Sequence, residues 1–224
     1  AKFSFARLCA RNGIRTFALT EHVHRLRHIP SKNCTSQIGN NGARTSINQD
    51  LSATFKIQID HQLLTIMLGA IIGDIVGSRF EFNNTNKTDF EFFAAGCDYT
   101  DDTICTIAVA DAIVRNADFG ETLQAWCRRY PHPKGAYGGS FIRWVQSRNP
   151  QPYGSYGNGS AMRVSPCGWL GVRSAVVTCA EQSAACTHNH PEGIKGACCV
   201  AECIAQARIS KDKELIRQIA TEKY

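Results

Sequence analysis

From Met67 onward the apolar residues recur at helical spacing, and no stretch of useful length alternates with period two. The strands of a half-buried sheet require that alternation. Its absence confines the chain to an all-α fold, an orthogonal or bundled array of helices. Leu68, Ile71, Ile72, Ile75 and Val76 form the first stripe, spaced as an amphipathic helix spaces its buried face. Gly69, Gly73 and Gly77 recur at every fourth position on another face. Each costs a helix up to about 1 kcal/mol relative to alanine. Three in register predict a face approached closely by a second backbone or a ligand.

The segment from Arg79 to Cys97 reads as a loop rich in Asn, Thr and Phe. A second helix starts at Thr100-Asp101-Asp102-Thr103 and runs through Val114. A third spans Glu121 to Tyr130, closed by Pro131 and Pro133. Gly139 to Ser147 gives a short fourth, with Phe141, Trp144 and Val145 inward. Gly168 to Ala185 reads as a buried helix of Ala, Val and Cys. Pro191, placed where a first helical residue belongs, opens another that reaches about Ile209. Ser210 or Asp212 opens a last one, containing Leu215, Ile216 and Ile219.

Charge divides the chain in two. The net charge of +6 sits entirely in residues 1–66, which hold nine Lys or Arg against Glu21, Asp50 and Asp60. The remainder is neutral and has no basic stripe, which argues against a nucleic-acid partner. Residues 1–66 sustain no period and read as a basic, disordered leader or a non-domain extension, with Pro30 to Asp50 almost wholly polar. Ala1 to Ala18 is compatible with a mitochondrial presequence. The first residue is Ala1, which suits an incomplete leader or translated upstream sequence equally. The folded domain is expected over 67–224. Eleven cysteines show no CxxC pair and no disulfide spacing. They read as buried thiols of an intracellular, reducing compartment: the cytoplasm, or the mitochondrion if the leader is a presequence. The longest apolar run, Leu63 to Val76, is shorter than a membrane span and is broken by Asp74. A soluble chain is expected.

Four stretches can carry chemistry. Thr100-Asp101-Asp102 sets three oxygen side chains at a helix start, where they can cap the helix or hold a hard cation such as Mg²⁺. Gly73 to Glu81 is an acidic helix whose end delivers Glu81. Tyr156-Gly157-Asn158-Gly159-Ser160-Ala161-Met162-Arg163 reads as a small-residue loop entering a helix. Its free N–H groups would cradle an anion such as phosphate, or it is a plain Asn-Gly turn. Thr187-His188-Asn189-His190-Pro191-Glu192 offers two histidines for metal ligation, or for capping and hydrogen bonding.

Taken together and in this order, these stretches resemble the ADP-ribosylglycohydrolase family. The matching residues are Gly69-Ala70-Ile71-Ile72-Gly73-Asp74 with Glu81, then Thr100-Asp101-Asp102-Thr103, Gly157 to Arg163, and Thr187-His188. Any one is a weak signal, but the spaced set is specific, and it covers about Met67 to Ile209. The resemblance implies an all-helical fold with a two-Mg²⁺ centre. By the same resemblance Thr100, Asp101 and Asp102 are metal ligands, Glu81 and Asp102 are catalytic, Gly157, Asn158, Gly159 and Ser160 bind phosphate, and His188 lines the substrate cleft. The implied reaction is Mg²⁺-dependent hydrolysis of the glycosidic bond between ADP-ribose and an acceptor. The implied partners are ADP-ribosylated proteins or small ADP-ribose conjugates, with no nucleic acid, no membrane and no fixed oligomeric state.

One departure stands beside the match. The family carries a second metal cluster of the form Asp-x-Asp followed by Thr or Ser near its C-terminus, and none follows Thr103 here. This predicts a C-terminally incomplete chain. It also keeps open a non-catalytic alternative, an ADP-ribose binder or a structural, crystallin-like relative.

Overall fold

The computed structural model describes residues 67–210 and 212–224; the readings made for residues 1–66 lie outside the described residues. Helical residues 67–77 form α1, followed by a 3-10 turn at Ser78–Phe80. Then come α2 (Asp101–Arg115), α3 (Phe119–Arg129), α4 (Gly139–Gln146), α5 (Arg173–Ala185), α6 (Pro191–Ile209) and α7 (Lys213–Gln218). A π-helical turn, Ile219–Lys223, continues α7. Among the described residues there is no strand, only an isolated bridge between Thr100 and Lys134. The all-α expectation is met.

Helix α2 is the axis of the molecule, because its side chains enter three apolar clusters. Ile104, Cys105 and Ala108 pack with Leu123, Cys127, Phe141 and Trp144 of α3 and α4. Val109 packs with Val176, Ala180 and Ala184 of α5 and Ala197 and Ala201 of α6. Ala110 meets Met67 and Ile71 of α1. A helix buried on nearly every side needs small or apolar residues all round rather than one stripe, and Thr103 to Ala112 supplies them. The helix stops at Asn116, whose left-handed backbone (φ 51°) lets its N–H reach the carbonyls of Ala112 and Ile113. Asparagine tolerates that conformation better than most residues.

Three expectations needed adjustment. Helix α3 begins at Phe119 rather than Glu121, because Asp118 caps it through the Glu121 N–H at 2.8 Å. The predicted helix from Gly168 begins only at Arg173. Gly168 lies instead in a 3-10 turn pressed onto α6, where a Cβ would sit 2.7 Å from Ile204 Cβ and 2.8 Å from the Ala201 carbonyl. A helix through this point would need room that α6 occupies. The face of Gly69, Gly73 and Gly77 is open: among the described residues a Cβ at any of them meets nothing within 4 Å. The predicted close approach is not made there.

Candidate functional site

Asp74 joins α1 to the start of α2. Its Oδ2 accepts from Thr100 N (2.9 Å), Thr103 N (3.2 Å) and Thr103 Oγ1 (2.5 Å), and its Oδ1 accepts from Thr100 Oγ1 (2.6 Å). Thr100 in turn accepts from the Asp102 N–H at 3.1 Å. The orphan N–H groups of a helix start need such acceptors, and a carboxylate is a strong one. Thr100 and Asp74 thus do the capping between them. The Asp102 side chain takes no part in this capping, the Asp101 carboxylate accepts only from its own N–H, and no salt bridge reaches either among the described residues.

Those two carboxyls are held in an uncomfortable place. Burial, then Asp102, with smaller contributions from Glu81 and Asp74, raises Asp101 to about 7. Burial, then Asp74 and Glu81, raises Asp102 to about 6. Concentrated negative charge without a compensating cation makes each proton harder to remove. Glu81 reaches this cluster from the 3-10 turn that ends α1. Its carboxylate rests on Gly135, where a Cβ would lie 2.7 Å from Oε2 and where the backbone φ is +81°. Only glycine accepts both conditions easily. The Lys134 N–H bonds the Tyr99 carbonyl (3.2 Å), which draws the Gly135 segment alongside the start of α2. The charges of Asp74, Glu81 and Asp102 are thus all felt at Asp101, at one pole of the fold.

The second group of predicted residues gathers elsewhere. The stretch Gly157 to Arg163 does not enter a helix; it runs as successive turns, with Met162 N bonded to the Asn158 carbonyl at 2.9 Å. The N–H groups of Asn158, Gly159 and Ser160 find no acceptor among the described residues. The Ser160 hydroxyl is spent on structure, donating to the Gly193 carbonyl (2.8 Å) and tying the loop to α6. His188 lies directly over Gly159, where a Cβ would come within 2.9 Å of its Cε1 and Nε2. Burial first, then the charge of Arg163, lowers its pKa to about 4. His190 is a cap, its Nδ1 accepting from the Glu192 N–H at 3.2 Å. Both histidines make the hydrogen bonds that the capping reading expects.

No direct hydrogen bond joins the acidic pole to the loop among the described residues. They share a neighbour instead: the charges of Asp101 and Arg163 both act on the buried Cys105–Cys127 thiol pair. An open cavity of about 660 Å³ lies at the other end of α2, beside Asn116, Asp118 and Gln182. Three residues outside the predicted set prove central: Asp74, Arg163 and Thr187. Asp74 had a signal, since it is the one charge interrupting the Leu63–Val76 apolar run. Arg163 and Thr187 had none beyond membership of their motifs.

The geometry defines a helical protein with an oxygen-rich acidic pole and a separate, largely exposed loop in which the N–H groups of Asn158, Gly159 and Ser160 have no protein acceptor among the described residues. The sequence model of the ADP-ribosylglycohydrolase family matches residues 57–223, and the chain belongs to that family. The match starts ten residues before Met67 and runs past Ile209. The family's activity is hydrolysis of ADP-ribosyl bonds, and its members use metal ions. In this chain no group of three or more His, Cys, Asp or Glu side chains converges as a metal site among the described residues. No described helix is long and apolar enough to cross a membrane.

Proposed function

We propose that the protein hydrolyses the glycosidic bond linking ADP-ribose to a protein side chain or a small acceptor, with Mg²⁺ held by Thr100, Asp101 and Asp102. The observation that carries this reading is that Asp74 and Thr100 cap α2 between them, which leaves the Asp102 carboxylate, and that of Asp101 apart from its own N–H, open to a cation. The donor set suits a hard cation, since every candidate ligand is oxygen. Thr100 Oγ1 gives its proton to Asp74 and one lone pair to Asp102 N–H, so one lone pair remains. The raised carboxyls of Asp101 and Asp102 favour a neighbouring positive charge for the same electrostatic reason that they resist ionisation alone.

When bound, the ion would supply orientation of a ribose diol and polarisation of its oxygens. The remaining roles fall to side chains and backbone. Glu81 assists departure of the acceptor group, and the carboxylates stabilise positive charge developing at the anomeric carbon. The free N–H groups of Asn158 and Gly159 receive the diphosphate. His188, beside Gly159, lines the same cleft. The nine free thiols among the described residues support a reducing, intracellular setting.

The test is release of free ADP-ribose from ADP-ribosylated arginine and serine peptides by the full-length protein, with Mg²⁺ and with a chelator. Release that depends on Mg²⁺ and falls at least about 100-fold in folded Asp101→Ala and Asp102→Ala supports the reading. No release from any peptide sinks it. That no three-ligand group occurs among the described residues favours a second reading, a protein that binds ADP-ribose without turnover. Calorimetry separates the two: binding unaffected by Asp101→Ala, with no hydrolysis, marks a binder, and no binding marks a structural relative.

A further inference from the structure

We propose that Arg163 and Thr187 are positioning residues that lock His188 as its Nε2–H tautomer, a fixed hydrogen-bond donor to a phosphate-type anion at the Gly157–Ser160 loop. The inference rests on the reading of that loop as an anion site, and it gives His188 a role that its place in the cleft alone does not.

The argument is a proton count. Arg163 Nη2 donates to Thr187 Oγ1 at 2.9 Å and to the Ser183 carbonyl at 2.6 Å. A guanidinium has no acceptor, so at Thr187 it is the hydroxyl oxygen that accepts. Thr187 is 0% exposed, so its own proton is closed off from bulk solvent. His188 Nδ1 stands 2.7 Å away. The other neighbour is the Cys186 thiol, a far weaker acceptor. The hydroxyl proton therefore goes to Nδ1. A neutral ring that accepts at Nδ1 must carry its hydrogen on Nε2. That nitrogen is the edge lying at Gly159.

Two further facts agree with this arrangement. Burial and the Arg163 charge keep the ring neutral through the physiological range, so the donor does not change with pH. Arg163 is itself 1% exposed, its Nε has no partner, and no carboxylate pairs with it among the described residues. A buried cation with no counter-charge is costly and lends a positive potential to the loop that an anion would relieve.

The experiment is two-bond ¹H–¹⁵N NMR of histidine-labelled full-length protein at neutral pH, paired with calorimetry using ADP-ribose and inorganic pyrophosphate as probes. In the wild type, His188 should show protonated Nε2 and bare Nδ1. Thr187→Val, which keeps the shape and removes the hydroxyl, should release the tautomer and weaken both probes about tenfold; Thr187→Ser should restore both properties. A wild-type ring carrying its proton on Nδ1, or a cationic ring, overturns the proposal. So does a Thr187→Val protein that binds both probes as well as the wild type does. If Thr187→Val fails to fold, His188→Gln and His188→Leu decide: the amide, still a donor, must retain more affinity than the leucine. Failure of hydrolysis with these results intact would remove the catalytic reading and leave this one standing.

Discussion

Asp74 accepts four hydrogen bonds from one helix start, and an amide cannot replace it. Asparagine offers one acceptor oxygen and turns two donors toward other donors. Asp74→Asn should cost about 3 kcal/mol in urea denaturation, because buried N–H groups would lose their partners. A loss below about 0.5 kcal/mol, the size of a neutral surface change, would mean that Thr100 caps α2 unaided. Asp101 should respond in the opposite direction. Its folded pKa of about 7 stands above the ordinary 3.8, so ionising it opposes folding. That penalty is absent below pH 3.8, grows as pH rises through the interval, and is complete above 7. Asp101→Asn should therefore stabilise the fold at pH 8 by on the order of 1 kcal/mol, a figure lowered for partial solvent screening, while abolishing hydrolysis. Equal stability of the two proteins at pH 8 would show that neither burial nor the neighbouring charges penalise the ionised carboxylate. At this scale the sequence was legible where one residue type serves both candidate chemistries: Thr100, Asp101 and Asp102 suit a cap and a cation alike. It was illegible where a partner lies 26 or 29 residues away, since a hydrogen bond across that distance leaves no local spacing to read.

Among the elements, the best anchored ends are those whose caps lie within a few residues. Pro191 marks the start of α6 and was readable in advance; Asp212 caps α7 through the N–H groups of Glu214 and Leu215, one of the two starts, Ser210 or Asp212, that the sequence offered. The start of α5 was not, because what excludes helix at Gly168 is the body of α6, 33 or more residues on. Glu202 illustrates the same long reach. Burial alone would raise its carboxyl, yet hydrogen bonds from Lys223, Arg173 and Tyr224 hold it at about 2, binding α6 to the turn after α7. With a folded pKa below the ordinary 4.5, its contribution is whole above pH 4.5 and fades as pH falls toward 2. Glu202→Gln should lose about 2 kcal/mol at pH 7 and show a flatter stability profile between pH 4.5 and 2. A mutant profile as steep as that of the wild type would assign the acid sensitivity to other carboxylates.

For the molecule as a whole, the fold class followed from periodicity, because the one-faced helices space their apolar residues three and four apart and no stretch alternates with period two. The central place of α2 did not, since Thr103 to Ala112 names no partner in its own composition. That place has a thermodynamic consequence. One helix supplies side chains to all three apolar clusters, so whatever steadies its first turn steadies everything packed on it. Mg²⁺ held by Thr100, Asp101 and Asp102 would act there, and a ligand that binds only the folded state adds stability by mass action. At ten times its dissociation constant the gain is about 1.4 kcal/mol. It should appear equally in helical circular dichroism and in the fluorescence of Trp144, in the first cluster, and of Trp169, beside α6. A shift in one probe alone would show that the clusters unfold separately and that α2 does not couple them. An equal gain in Asp101→Asn would place the ion elsewhere, and no gain in the wild type would remove the metal from the acidic pole altogether.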